Sequence, residues 1–460
     1  MKNLFRNTSP PRRSLPAVAF DRVAWAIDSV RSFPPFHIHA FLHFDRPLEP
    51  QRLRQAVTKL LNRFPLTGGT LNINDLFSLR DRWQIEPVPD PDKIILPSRS
   101  KPTAFLPEEK DPAVIDFVNS RLDLTSQPPI RILFSSGPNQ SRMIIKSHHG
   151  FSDGKGLLFL LNEMRRCYLD PADENAREPP PAENRGFFPL YLKAGIHRWP
   201  GILFRLFSLA WASRHKFHPG QLLPSASAKP AALGHDSRLH WLNLFFPPDE
   251  ALAIHNRARR YEVKINDIIL AAAVQTFFRS DLNPFQGEGN PEILMAVDLR
   301  GTFGHPAMLA NMSGIEIISV PRSELGSFPQ TVAEVKAQTS RIKSRNPGLP
   351  YLLPLACSRI LPYPMVKGFF HWFGRRIHSP SHLRNGVTNL GIIDPTLSDW
   401  GGAKLLRLSL LSPRIFPWGY TVTVTSFNGS IEMNLGFLSP YLTLESAQRL
   451  SQCFKNELLQ

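Results

Sequence analysis

Residues 143–158, Met-Ile-Ile-Lys-Ser-His148-His149-Gly150-Phe151-Ser152-Asp153-Gly154-Lys155-Gly156-Leu157-Leu158, constrain this chain more than any other stretch. An apolar run that reads as a strand ends in two histidines. A turn containing three glycines follows, and a helical pattern then runs to about Tyr168. Alternation along a strand sends the His148 and His149 side chains to opposite faces, so at most one naturally enters a given cleft. A neutral imidazole can take a proton from an attacking hydroxyl or amine, because its ordinary pKa of ~6.5 lies near working pH. Asp153 can hold the turn in shape by pairing with a buried cation or with backbone donors. Gly154 and Gly156 let the backbone bend and pack closely.

Around this segment strands and helices alternate. Phe36–Phe44 alternates and is rich in aromatics, as a strand does. Leu53, Ala56, Val57, Leu60, Leu61 and Phe64 recur at helical spacing. Asp111–Leu122 reads as a helix, and Ile130–Ser135 and Met143–Ser147 as strands. In the second half, strands are predicted at Leu239–Phe246, Glu292–Val297, Val387–Ile392, Leu406–Leu411, Thr421–Phe427 and Ile431–Phe437. Helices are predicted at Pro248–Arg260, Asn266–Phe278, near Thr331–Lys343 and at Leu444–Leu458. Asn428-Gly429, between the last two strands, is a strong hairpin signal. The class is α/β (mixed α+β). A chain of 460 residues exceeds one hydrophobic core, and Pro-rich stretches at 170–186 and 219–234 mark an exposed connection. The expected division is residues 1–180, a linker with a basic aromatic segment at 181–236, and residues 237–460.

The net charge of +16 points to acidic partners. Between Glu334 and Asp394 there is no acid among nine cations, and Arg185–His218 is a second acid-free stretch. Coenzyme phosphates, an acidic carrier protein, an anionic membrane surface and nucleic acid all fit such charge; so does a generally basic solvated surface. Nucleic acid has charge alone in its favour, without a recognised module. Within 186–212, Phe187, Phe188, Tyr191, Leu192, Trp199, Leu203, Phe204 and Leu206 are interleaved with cations. They form a candidate peripheral membrane patch or an ordinary helix covering the core. The three cysteines, Cys167, Cys357 and Cys453, lie far apart, which argues against a disulfide framework and fits a reducing compartment. With neither a signal-peptide pattern nor a spanning run in the sequence, the expected location is cytoplasmic.

His148-His149-Gly150-Phe151-Ser152-Asp153-Gly154 matches His-His-x-x-x-Asp-Gly, and here the chain resembles the chloramphenicol acetyltransferase-like superfamily. That superfamily includes condensation domains of nonribosomal peptide synthesis, alcohol acetyltransferases, polyketide-associated acyltransferases and wax ester synthases. Flanking stretches agree in order: Phe44–Ala56 through Pro65, Ile265–Ala272, Val297–Arg300 followed by Ala310-Asn311-Met312, and Val387–Gly391, which resembles a strand crossing between the halves. The resemblance covers nearly the whole chain. It implies two similar domains in a V with an interface tunnel reaching the motif. His149 would be catalytic, His148 supporting, and Asp153 structural and paired with Arg300, with Gly154 and Asn311 as further supports. The activity implied is transfer of an acyl group from an acyl-coenzyme A or phosphopantetheinyl carrier thioester to an alcohol or amine, with no bound cofactor. Thr388, Asn389 and Ser426 are candidate oxyanion donors. The Asp-Phe-Gly-Trp-Gly of the plant branch is missing, and Phe416-Pro417-Trp418-Gly419 is a faint echo of it.

Three other readings compete. Gly150-Phe151-Ser152-Asp153-Gly154 also fits the Gly-x-Ser-x-Gly nucleophile elbow of α/β-hydrolases, with Ser152 as nucleophile and His305, His371, His378 or His382 as partner. A carrier-protein or membrane-binding module could keep the fold without turnover. A metal site is disfavoured, because adjacent histidines point apart and no His-Glu-x-x-His occurs.

Overall fold

The computed structural model describes residues 13–31, 33–73, 80–86, 90–97, 107–170, 185, 200, 237–278, 290–300, 309–345, 347–348, 358–377, 385–414, 419–439 and 441–460. The aromatic patch at 186–212, apart from position 200, lies outside them, as do His305, His378, His382 and residues 415–418.

The described residues form three sheets and nine α-helices. In the first half a five-stranded sheet has the order β12-β2-β7-β6-β5. Its strands are β2 (His37–Phe44), β5 (Ile95–Pro97), β6 (Ile130–Ser136), β7 (Ser141–His148) and β12 (Leu405–Leu411). Ile38, Ala40, Leu42, Met143 and Ile145 share one face of β2 and β7. They pack under α2 (Pro50–Arg63) and α4 (Gly154–Leu169), which bury Leu53, Val57, Leu157 and Leu161. Each such side chain contributes about 1.5–3 kcal/mol. A small sheet, β1-β4-β3, flanks this layer, with β1 at Arg13–Pro16, β3 at Thr70–Asn72 and β4 at Arg82–Ile85.

The second half is built on a six-stranded sheet, β10-β9-β11-β13-β14-β8. It comprises β8 (Arg238–Phe246), β9 (Glu292–Asp298), β10 (Ser313–Ser319), β11 (Asn385–Ile392), β13 (Thr421–Phe427) and β14 (Ser430–Ser439). Helices α5 (Pro248–Arg260), α6 (Ile265–Phe277), α7 (Phe328–Lys343) and α9 (Leu444–Leu459) lie against it, and α6 is buried nearly all round. Asn428 and Gly429 turn β13 into β14 with φ of 49° and 79°, the left-handed pair that a two-residue hairpin requires.

The strand that crosses between the halves is β12, not Val387–Gly391. Leu405–Leu411 pairs antiparallel with β2, while Asn385–Ile392 runs parallel to β9 and β13 inside the second sheet. A division at residue 237 therefore leaves one strand of the first sheet in the second half. A further core cluster joins the halves. Phe20, Val23, Ala24 and Ile27 of α1 (Ala19–Asp28) meet Leu299, Ala310 and Met312, together with Tyr363 and Val366 of α8 (Tyr363–Ile377). A short helix, α3 (Pro112–Asn119), completes the set. No helix among the described residues is long and apolar enough to cross a membrane.

Candidate active site

The His-His segment sits at the seam between the halves. β7 ends at His148, whose backbone N–H donates to the Pro129 carbonyl, and the His149 N–H donates to the Phe36 carbonyl. The chain then turns and enters α4 with Asp153 as N-cap, its Oδ1 accepting from the Gly156 N–H at 2.8 Å. None of Gly150, Gly154 or Gly156 has a positive φ, so these glycines supply space rather than a left-handed bend. A Cβ on Gly150 would meet Ala24 of α1 at 2.5 Å. One on Gly154 would meet Leu390 at 2.6 Å, and one on Gly156 would meet the Ala310 carbonyl at 2.8 Å.

The second half clasps this turn through hydrogen bonds. Arg300 donates from both terminal nitrogens to the two Asp153 oxygens at 2.8 Å, and also to the Ala310 carbonyl and to Asp298. The Met312 N–H gives Asp153 a fourth bond. Both partners are buried, so the pair is desolvated as well as bidentate. Asn311 donates to the His149 carbonyl at 2.6 Å while its own Oδ1 accepts from Ser313. Arg185, from the basic aromatic stretch, donates to the Phe151 carbonyl and to Asp21, tying the turn to α1.

His149 is half-buried, with the Phe36 ring edge-on at 4.9 Å. Its Nδ1 lies 3.2 Å from the Ser152 carbonyl oxygen. A carbonyl only accepts, so Nδ1 carries the proton and the Nε2 lone pair is open. Burial lowers the His149 pKa to about 4 against the opposing pull of the Asp153 carboxylate and the Ser152 carbonyl, so the ring is neutral at pH 7.

His148 is different in kind. It is fully buried, its Nδ1 accepts the Gly150 N–H at 3.2 Å, and Nε2 faces Asp28 Oδ2 at 3.5 Å. His37, its cross-strand partner, lies 3.8 Å from the same oxygen. Asp28, His37 and His148 bring donor atoms within 4.8 Å of one another, a spacing a metal ion could use. The Gly150 bond leaves the proton on His148 Nε2, however, and Asp28 Oδ1 accepts from Arg121 and from the Phe36 N–H. We therefore read the trio as a buried cluster around the Asp28 carboxylate, which accepts the Phe36 N–H and so holds Phe36, whose carbonyl in turn accepts the His149 N–H. Neither Asp28 nor His37 is singled out by any sequence motif; the His37-x-His39 spacing on one strand face was the available signal.

Ser152 is fully buried and its Oγ bonds Ser147 Oγ at 2.8 Å; among the described residues no histidine bonds it. Strand β7, which leads into Ser152, is antiparallel to both neighbours, unlike the parallel sheet a nucleophile elbow requires, and the hydrolase reading fails there. Thr388, Asn389 and Ser426 are half-buried on β11 and β13, and Asn389 Oδ1 accepts from Gly391. None of the three bonds the His149 turn, although Leu390 beside them packs on Gly154.

No family model and no curated protein matches the chain. Solved structures do. Trichothecene 15-O-acetyltransferase from Fusarium sporotrichioides superposes with a TM-score of 0.69 over 97% of this chain and 95% of that one, at 12% identity. The first condensation domain of the calcium-dependent antibiotic synthetase gives 0.67 over 98% and 96%, at 13% identity. The epimerization domain from the third module of tyrocidine synthetase B gives 0.63 over 98% of both chains, at 12% identity. Such neighbours share an architecture across different chemistries, so function must be argued from the site. This chain has the two-lobed chloramphenicol acetyltransferase-like fold of condensation domains and of the trichothecene acetyltransferase.

Proposed function

We propose that the protein transfers an acyl group from a thioester donor, acyl-coenzyme A or a phosphopantetheinyl carrier, to an alcohol or amine, with His149 as general base. The observation that carries this reading is the committed Nδ1 of His149: it fixes the tautomer and leaves Nε2 as the one ring atom able to take a proton. The acceptor O–H or N–H gives its proton to Nε2 as its lone pair attacks the thioester carbonyl. The tetrahedral intermediate collapses with cleavage of the C–S bond, and Nε2–H returns the proton to the departing thiolate. Acid–base help of this kind supplies ~10²–10⁴-fold, and alignment of the two substrates supplies much of the remainder. Asp153, Arg300 and Asn311 act by holding the turn. The net charge of +16 suits the phosphates of either donor.

Thiol release from a panel of acyl-coenzyme A donors, with mixed alcohols and amines, tests the reading. Acceptor-dependent release abolished by His149→Ala and largely spared by Ser152→Ala supports it. Release independent of acceptor, or unchanged in His149→Ala, overturns it. Acyl-loaded carrier proteins replace coenzyme A in a second round, and silence in both rounds leaves a non-catalytic module of this fold.

A further inference from the structure

The acid-free stretch between Glu334 and Asp394 folds in part into α8 and the turn before it, and there the surface is unlike that of the other described residues. Tyr363 and Val366 point inward against α1, and Phe373 meets Phe33 edge-on. On the outer side Met365, Phe369 and Trp372 recur at i, i+4 and i+7, and they are 59%, 55% and 43% exposed. Ile360 and Leu361 extend this ridge through the preceding turn, Ile360 being 81% exposed. Among the described residues the remaining exposed large apolar side chains are dispersed along the chain.

Arg359, Lys367 and Arg375 are exposed along the same stretch. A helix of 15 residues is about 22 Å long, short of the ~30 Å of a hydrocarbon core, so it can lie in a bilayer surface but not span it. An apolar ridge that projects from the surface, carries Phe and Trp, and is accompanied by cations with no acid in its sequence segment has the make-up of an interfacial helix. The same charge would attract an acidic protein. A projecting aromatic ridge, however, sinks between headgroups more readily than it finds a matching groove. We propose that α8 and the turn before it seat the protein on an anionic bilayer surface. The inner side of α8 rests on α1, which closes over Gly150, so one layer of helix separates this surface from the His149 turn. The inference does not depend on the reaction proposed for that turn.

The test is co-sedimentation of the full chain with vesicles of phosphatidylglycerol and phosphatidylcholine, and with phosphatidylcholine alone. Two surface variants are compared with the parent: Phe369→Ser with Trp372→Ser, and Lys367→Glu with Arg375→Glu. Circular dichroism checks that both fold. The parent should bind the anionic vesicles, the aromatic variant should bind roughly tenfold or more weakly, and the charge variant should lose the preference for phosphatidylglycerol. Failure of the parent to bind either vesicle overturns the proposal. So does unchanged binding by the aromatic variant, which would shift attention to residues 186–212. A concentration-dependent dimer that the aromatic variant abolishes, without vesicle binding, would make the ridge an interface between copies.

Discussion

Arg300 and Asp153, 147 positions apart, meet through two parallel hydrogen bonds of 2.8 Å at the N-terminus of the helix that follows His149. The pair joins the two halves of the chain at the point where the proposed chemistry occurs. The helix dipole and the Gly156 and Met312 N–H groups favour the Asp153 charge further.

Removing one partner leaves the other charge buried and uncompensated. Asp153→Ala or Arg300→Ala is expected to cost about 3–5 kcal/mol in urea unfolding. Arg300→Lys keeps the charge but loses the fork, so it should recover part of the stability while activity stays low.

His149 and His148 should separate cleanly. His149→Gln is expected to lower acyl transfer by ~10²–10⁴-fold with little change in unfolding midpoint. His148→Gln should show its main loss in the midpoint, because that ring is fully buried against Asp28 and the Gly150 N–H. Equal behaviour of the two variants in both assays would contradict the assignment.

In the proposed reaction His149 acts as a neutral base, and its pKa is lowered by burial to about 4. The acid limb of kcat/KM against pH should therefore fall well below the ordinary 6.5, with activity persisting at pH 5.5. A limb at 6.5 or above would place the essential base elsewhere.

His37, His39 and Lys146 share one buried face of β2 and β7. Burial first, and the Lys146 cation second, lower both histidines well below 6.5; burial, followed by Arg131, lowers Lys146 to about 7. Each group binds its proton more tightly unfolded than folded, so stability is lost as pH falls through the unfolded values. Unfolding free energy should drop as pH falls from 7 to 5 and rise between 7 and 10. Lys146→Met should flatten the alkaline rise.

Gly150→Ala places a methyl group 2.5 Å from Ala24 and is expected to cost about 1–3 kcal/mol by overpacking. Ala24→Gly in the same chain should return most of it, since the clash is side chain on side chain. Without that rescue, the contact of α1 with the turn is not what requires glycine.

What the sequence by itself determined is local. The strand, the two histidines, the turn and the helix with its Asp153 cap follow from residues within hydrogen-bonding reach along the chain, as does the Asn428-Gly429 hairpin. Helix α1 escaped the same reading. Its N-cap is Val18, without a side-chain cap, and Asp21, Arg22 and Asp28 lie buried among its apolar residues, which blurs the stripe. Arg22 and Asp21 are buried because Asp81 and Trp83, at the start of β4, and Arg185, far along the chain, bond to them. Only the tertiary structure decided that β12 completes the first sheet, because strand pairing is set by edges and register that no local pattern encodes. It also decided which nitrogen of His149 is open. That depends on a carbonyl three residues away being held in place by a turn that α1, Arg185, Asn311 and Arg300 together enclose.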